Sequence, residues 1–156
     1  MLKILVIGLG YVGTANAVLL SKHNEVTCFD LDPTKSNNLM HGISPIEDKE
    51  VSEYLSSKTL NLKSAESFPT EIDDFDFAII ATPTNYDIET NRFNTSSIEQ
   101  SLISIRNSKS NPTVIIRSTI PVGYVNKMQK EFPDLEIIFV PEFLREGRAL
   151  KDSLYP

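Results

Sequence analysis

Three glycines near the amino terminus have the spacing of a phosphate-binding turn. Gly8, Gly10 and Gly13 form the pattern G-x-G-x-x-G, between an apolar run at residues 2–7 and a helical pattern at residues 11–22. In such a turn the first glycine permits the tight bend and the second lets the backbone approach a pyrophosphate. The third lets the helix pack closely on the strand. The placement therefore predicts a dinucleotide site with its phosphates at the helix N-terminus.

A carboxylate after the second apolar run bears on the choice of cofactor. Asp30 lies about 20 residues beyond the middle glycine of the turn, where an acceptor for the adenosine ribose hydroxyls is expected. A carboxylate there repels a 2′-phosphate, so Asp30 favours NAD over NADP. Lys35 weakens that discrimination if it faces the site, and the alternative for Lys35 is a solvated lysine early in a helix. The alternative for Asp30 is a helix cap or a solvated turn.

Turns rich in hydroxyl groups follow two later apolar runs. Residues 81–85 read Ala-Thr-Pro-Thr-Asn after the run at 77–81, and residues 118–123 read Ser-Thr-Ile-Pro-Val-Gly after the run at 113–116. Ligands of open α/β sheets bind at the carboxyl ends of the strands, so both turns are candidates for cofactor contacts. Threonine, proline and asparagine are also ordinary loop residues, and residue type alone leaves both interpretations open for residues 81–85.

Two carboxylates four residues apart follow the last apolar run. Glu142 and Glu146 lie on either side of Arg145 in the segment 141–147. On a helical turn these positions share one face, so we expect both carboxylates to point into a cleft. The alternative is a solvated charge cluster in which Arg145 pairs locally, an arrangement that contributes little stability.

Alternating apolar runs and helical patterns predict the fold that positions these residues. The predicted helices are residues 11–22, a helix opened by Pro33 with Asp32 as its N-cap, and residues 46–57, 96–109 and 122–132. The predicted strands are residues 2–7, 25–29, 60–63, 77–81, 113–116 and 137–140. This alternation predicts an α/β, Rossmann-like, doubly wound parallel sheet in three layers, with six core strands in the order 3-2-1-4-5-6. The 156 residues suffice for one dinucleotide-binding domain, 1–156.

Composition excludes several classes of partner. The formal net charge of −6 argues against binding to nucleic acid, which requires clustered Lys and Arg. One cysteine, Cys28, cannot form an internal disulfide, and no Cys/His cluster has metal-ligand spacing, so we expect a cytoplasmic protein without a metal. The apolar stretch at residues 4–20 contains the three glycines, which favours a buried strand and helix over a membrane segment.

The motifs taken together resemble the UDP-glucose/GDP-mannose dehydrogenase family, and the match runs along essentially the whole chain. The segments that carry it are residues 8–13, 42–46 (Gly-Ile-Ser-Pro-Ile), 81–85, 118–123, 140–147 and 154–156. The most specific is Pro-Glu-Phe-Leu-Arg-Glu at 141–146, because a general NAD-binding domain does not need it after its sixth strand. The run Ala-Thr-Pro-Thr-Asn-Tyr at 81–86 leans toward the branch that oxidises UDP-glucose.

The resemblance implies NAD as cofactor and a set of site residues. With the glycine motif, the expected cofactor contacts are Gly8, Gly10, Tyr11, Val12, Gly13, Asp30, Lys35, Thr82, Pro83, Thr84, Thr119 and Glu146. The expected substrate contacts are Glu142, Phe143, Leu144, Arg145 and Glu146. Thr119, Glu142 and Glu146 are expected to surround a catalytic water, with the two glutamates handling its proton.

The resemblance also implies a reaction that this chain does not complete alone. Family members of the UDP-glucose branch oxidise the C6 hydroxyl of UDP-glucose to a carboxylate with two NAD in succession, through a cysteine nucleophile. That cysteine is expected in a second domain beyond a linking helix, both absent from this chain, and the long helix is expected to pair subunits as a homodimer. Cys28 lies inside a predicted strand, so we expect a buried core residue and a chain that binds NAD without turnover. The alternatives are a related dehydrogenase acting on GDP-mannose or a UDP-N-acetylhexosamine, and a stand-alone NAD-binding module.

Overall fold

The computed structural model describes residues 1–57, 59–69, 75–89, 91–108 and 111–155. The strands are β1 Lys3–Ile7, β2 Glu25–Phe29, β3 Leu62–Ser64, β4 Phe77–Ile80, β5 Tyr86–Asp87, β6 Arg92–Phe93, β7 Thr113–Ile116 and β8 Ile137–Phe139. The helices are α1 Tyr11–Leu20, α2 Pro33–Met40, α3 Lys49–Ser57, α4 Ser96–Arg106, α5 Tyr124–Glu131 and α6 Ala149–Leu154.

Six of the strands form a parallel sheet in the order β3-β2-β1-β4-β7-β8. Counting these six along the chain gives the order 3-2-1-4-5-6, which confirms the predicted topology. Central strand β1 pairs with β2 on one side and β4 on the other, so Val6 lies between Cys28 and Ile79. Strands covered on both faces must be apolar throughout, which is why these segments read as continuous apolar runs and not as alternating patterns.

Alternate residues of β1 lie on opposite faces of the sheet and belong to separate hydrophobic clusters. Leu5 and Ile7 belong to a cluster with residues of α4 and α5, whereas Ile4 and Val6 pack with residues of α1 and α2. A third cluster joins α1, α3 and α6 on the outside of the second face. The three-layer arrangement follows from the period of two in a strand and the apolar stripe of each helix.

Several element boundaries differ from the predicted ones for identifiable reasons. Helix α3 begins at Lys49 and not at Ile46, because the Asp48 carboxylate caps it by accepting a hydrogen bond from the Val51 N–H. Helix α4 ends at Arg106, and the predicted end at Lys109 lies outside the described residues, as does Pro156. The third strand is Leu62–Ser64, two residues later at its start than predicted.

Three short elements, β5, β6 and α6, were not predicted. Strands β5 and β6 form an antiparallel hairpin in which the rings of Tyr86 and Phe93 meet edge to face, with centroids 5.2 Å apart. Strands of two residues are too short to show an alternating pattern, and α6, with six residues, is too short to show helical periodicity. Within the described ranges, no helix has the length and apolar character needed to cross a membrane.

Candidate active site

The principal cavity opens at the carboxyl edge of the parallel sheet and has a volume of about 750 Å³. Its walls come from the turns after β1, β2, β4, β7 and β8 and from one side of α4. Cavities of this size and position hold small ligands in open α/β folds, at the point where the strand order reverses. Of the predicted site residues, the cavity is lined by Gly8, Gly10, Tyr11, Val12, Asp30, Lys35, Thr82, Pro83, Thr84, Thr119, Glu142 and Glu146.

The three glycines of the turn meet different surroundings. Gly8 has φ +95°, and a Cβ there would lie 2.5 Å from the Ala81 carbonyl oxygen. A Cβ at Gly13 would collide with the Gly8 carbonyl, and Gly13 does not line the cavity. At Gly10 an added Cβ would meet nothing within 4 Å, because this residue faces the open cavity. Gly8 and Gly13 therefore permit close packing, and Gly10 leaves backbone accessible to a ligand.

Asp30 joins the end of β2 to the glycine turn. Its Oδ2 accepts a 2.6 Å hydrogen bond from the Leu9 N–H, and its Oδ1 accepts one from the Asp32 N–H at 2.8 Å. Lys35 Nζ lies 3.7 Å from Oδ2. The helix cap considered for Asp30 is supplied by Asp32, which accepts from the Thr34 N–H at 2.9 Å, as predicted. Asp30 thus shapes the turn and presents a carboxylate to the cavity.

Hydroxyl groups hold the loop after β4 in place. The Ser118 hydroxyl donates to the Thr82 carbonyl at 2.7 Å, and the Ser97 hydroxyl donates to the Pro83 carbonyl at 2.8 Å. The hydroxyls of Thr82 and Ser97 lie 3.0 Å apart. These contacts satisfy backbone groups that would otherwise remain unpaired and fix the loop between the end of β7 and the start of α4.

One wall of the cavity was missed by reasoning from the sequence. Ser97, Ser101 and Ser104 line the cavity from α4 together with Gln100, and Phe68 lies nearby with its ring 5.5 Å from that of Phe29. The serines have the spacing i, i+4 and i+7 of one helix face. This polar stripe could have predicted that α4 lines the site, whereas nothing in the sequence around Phe68 indicates that it lies at the cavity.

The segment after β8 brings both glutamates to the cavity without a helical turn. A helical turn would need the Arg145 N–H to bond the Pro141 carbonyl, but this N–H donates to the Asp152 carboxylate at 3.0 Å. The predicted helical geometry is therefore wrong, and the chain turns only at residues 146–147, where Gly147 has φ +75°. Glu142 and Glu146 nevertheless line the same cavity.

The charges of this segment pair in a way that the sequence did not reveal. Glu142 forms an ion pair with Arg117, and both side chains are largely buried at 15% and 17% exposure. Burial lowers the pKa of the Arg117 guanidinium, although arginine remains charged in proteins. Arg117 lies in the turn after β7 and lines the cavity, directly before the predicted cofactor turn at 118–123, but nothing in the sequence marks it as the partner of Glu142.

Three of the five predicted substrate contacts lie away from the cavity lining. Arg145 pairs with Asp152 through its Nε at 3.0 Å and its Nη2 at 2.6 Å, and not with either glutamate. Leu144 packs against the cluster of α1, α3 and α6, and Phe143 is 90% exposed. The local pairing considered for Arg145 is therefore present, with a partner that the sequence did not indicate.

Cys28 is a core residue. Its side chain is fully buried in β2, and burial raises the pKa of its thiol. A buried neutral thiol is a poor nucleophile because the reactive species is the thiolate. Among the described residues, no group of three or more His, Cys, Asp and Glu side chains is arranged to hold a metal ion.

Comparison with known proteins relates this site to a family of oxidoreductases. Residues 2–156 match the model of the UDP-glucose/GDP-mannose dehydrogenase family, NAD binding domain. The chain is 45% identical to UDP-glucose 6-dehydrogenase of Campylobacter jejuni, over 99% of this chain and 40% of that protein. It is 43% identical to UDP-glucose 6-dehydrogenase of Streptococcus pneumoniae, over 99% of this chain and 39% of that protein.

The fold agrees with the sequence comparison. A ternary-complex structure of GDP-mannose dehydrogenase from Pseudomonas aeruginosa superimposes with a TM-score of 0.84 at 28% identity, covering 100% of this chain and 39% of that one. The chain thus spans about two fifths of the length of the relatives it matches. From residue 2 to residue 156, this chain belongs to the UDP-glucose/GDP-mannose dehydrogenase family and forms its NAD-binding domain.

Proposed function

We propose that this chain is the cofactor domain of an NAD-dependent UDP-glucose 6-dehydrogenase. The observation that carries the proposal is that Glu142 and Glu146 open onto the same cavity as the glycine turn. A module that only bound a dinucleotide would need the turn and Asp30 but no pair of carboxylates beside it. The relatives that support UDP-glucose as substrate are those at 45% and 43% identity.

The residues around the glycine turn fit NAD. The open space above Gly10 admits a pyrophosphate to the start of α1, where backbone N–H groups and the helix dipole favour an anion. Asp30 has acceptor capacity beyond its two backbone hydrogen bonds and would bind the ribose hydroxyls, with Lys35 beside it. NAD, when bound, supplies the hydride-accepting chemistry of the oxidation.

Thr119, Glu142 and Glu146 are assigned to the reacting end of the site. In this proposal the Thr119 hydroxyl and the two carboxylates order a water molecule, and one of the two glutamate carboxylates accepts its proton, as a general base must do within hydrogen-bond reach. The ion pair with Arg117 holds the Glu142 carboxylate in one orientation. Glu146 is exposed on the cavity rim, where a substrate would reach it.

The complete reaction converts the C6 hydroxyl of UDP-glucose to a carboxylate with two NAD in succession. We propose that residues 1–156 act as the amino-terminal domain of a longer polypeptide, because the chain covers about 40% of its matched relatives. From the resemblance to the family, we propose that two copies of this polypeptide form a homodimer. In this proposal a linking helix and a second domain provide the remaining substrate contacts and the nucleophilic cysteine, since Cys28 is buried.

The proposed role of Asp30 is tested by cofactor preference. We expect calorimetry to show that the chain binds NAD more tightly than NADP, because the Asp30 carboxylate accepts from the ribose and repels a 2′-phosphate. Asp30→Ala should weaken NAD binding by roughly tenfold or more, the effect of losing a hydrogen bond to a charged group. Asp30→Asn, which keeps one acceptor oxygen, should reduce the preference for NAD over NADP but lose less NAD affinity than Asp30→Ala. If the unmutated chain bound NAD and NADP with equal affinity, Asp30 would not have this role.

Turnover tests the assignment of the nucleophile to residues outside this chain. We expect residues 1–156 to bind NAD but to produce no NADH with UDP-glucose, followed by absorbance at about 340 nm, because the reaction needs an accessible thiolate. Cys28 should react with a thiol reagent only after denaturation. Steady NADH production that Cys28→Ser abolishes would contradict both expectations.

A further inference from the structure

The carboxylate of Asp152 receives three hydrogen bonds from Arg145. The Arg145 backbone N–H and Nε each donate to Oδ2 at 3.0 Å, and a terminal nitrogen donates to Oδ1 at 2.6 Å. The Asp152 side chain is 16% exposed. The hydrogen bonds from Arg145 lower the pKa of Asp152 to about 2, so the carboxylate is charged at any working pH. Bonds of this charged, forked kind are stronger and more directional than neutral ones.

The helix that carries Asp152 is itself fixed to the body of the domain. Asp48, 3% exposed, accepts from the Val51 N–H at the start of α3 and from the Leu150 N–H of α6 at 3.3 Å. Ala149 and Leu150 are fully buried in the cluster with α1. Asp152 therefore lies on a helix, α6, that packs against α1, the helix after the glycine turn.

Arg145 is the residue directly before Glu146, so the contact between Arg145 and Asp152 also affects the position of Glu146. The Asp152 carboxylate holds the Arg145 backbone N–H, so it fixes the Leu144–Arg145 peptide, one residue before the turn at Glu146 and Gly147. A segment without helical or strand hydrogen bonds of its own depends on such contacts for a single conformation. Displacements near 1 Å in a catalytic group can cost about a hundredfold in rate.

We propose that Asp152 is a positioning residue, which acts through Arg145 to hold the Glu146 carboxylate at the cavity. The proposal rests on the proposed function for its effect on turnover, but not for its effect on the order of the segment. It also gives Arg145 a structural task in place of the predicted substrate contact. Asp48 in turn holds the first turn of α6, the helix that carries Asp152, through the Leu150 N–H.

The test compares Asp152→Asn and Arg145→Ala in the full-length enzyme with UDP-glucose and NAD. Asp152→Asn is expected to lower kcat by roughly 10- to 100-fold, with KM values changed by no more than about threefold, because the reacting groups are misplaced while the binding groups remain. Arg145→Ala keeps the backbone N–H that donates to Asp152, so it should lower kcat less than Asp152→Asn. Asp152→Glu should restore part of the rate.

Amide hydrogen exchange supplies a readout that does not depend on activity. Exchange at residues 142–148 should rise in Asp152→Asn and stay unchanged in Glu25→Gln, which breaks a comparable ion pair with Lys63 between β2 and β3. Glu25→Gln should shift Tm only slightly, as expected for the more exposed of the two pairs, and the Tm of Asp152→Asn shows whether that variant stays folded.

The outcomes separate this proposal from the proposed function. Unchanged exchange at 142–148 in Asp152→Asn overturns the positioning role, whatever the activity, and so does raised exchange with a normal kcat. A larger effect of Arg145→Ala, seen mainly in the KM for UDP-glucose, overturns it in favour of direct substrate contact. An unmutated enzyme that does not oxidise UDP-glucose refutes the proposed function, while the exchange result still decides whether Asp152 orders the segment.

Discussion

Replacing Glu146 by glutamine in the full-length enzyme is expected to lower kcat by about 10² to 10⁴, the usual cost of removing a proton-handling group. The substitution keeps the size of the side chain and removes its ability to accept a proton. Glu146 lines the cavity from an exposed turn, so the domain should remain folded. Steady-state kinetics with UDP-glucose and NAD, together with a thermal denaturation curve, measure the two effects separately.

A matched substitution shows whether the effect belongs to the site. Glu131 is 49% exposed on α5 and pairs with Lys127 at 3.7 Å, so Glu131→Gln removes one carboxylate without touching the cavity. It should leave kcat unchanged. Normal turnover in Glu146→Gln, combined with lowered thermal stability, would show that the glutamates belong to a structural charge network and would refute the assigned role.

Alanine at the second and third glycines of the turn should give opposite phenotypes. Gly13→Ala places a Cβ against the Gly8 carbonyl, and backbone cannot rotate away as a side chain can. Overpacking of this kind costs on the order of 1–3 kcal/mol or more of folding free energy. Gly10 has φ −79° and open space around it, so Gly10→Ala should change stability by only about 1 kcal/mol or less.

The variant that stays stable, Gly10→Ala, should be the one that loses NAD affinity. The Gly10→Ala methyl occupies the space proposed for the pyrophosphate, so a folded variant should bind NAD roughly tenfold to a hundredfold more weakly, the effect of losing a charged hydrogen bond. Gly13→Ala should fail mainly through unfolding. Denaturant titration and calorimetry on the same preparations measure both quantities. A Gly10→Ala variant with unchanged NAD affinity would place the pyrophosphate elsewhere.

The sequence by itself determined the sheet, its strand order and the edge at which the cavity opens. These features follow from local patterns: continuous apolar runs for buried parallel strands, helical periodicity between them, and right-handed crossovers that leave few topologies. The placement of the glycine turn and Asp30 at the cavity was also readable, because backbone conformation and position at a strand end mark such residues. Element boundaries were less certain, as Asp48 and α3 show, since caps depend on single side chains.

Only the tertiary structure decided how the charged residues of the site pair. Arg117 meets Glu142, although they lie on separate turns after β7 and β8. Asp48 reaches the Leu150 N–H across 102 residues of sequence. Arg145 turns away from both flanking glutamates toward Asp152. The direction of each side chain depends on the path of the backbone and on which partner is within about 3 Å, and spacing along the chain contains neither. Residue types therefore predicted that the glycine turn, Asp30 and the two glutamates reach the cavity, whereas packing turned Arg145 away from it and brought Arg117 into it.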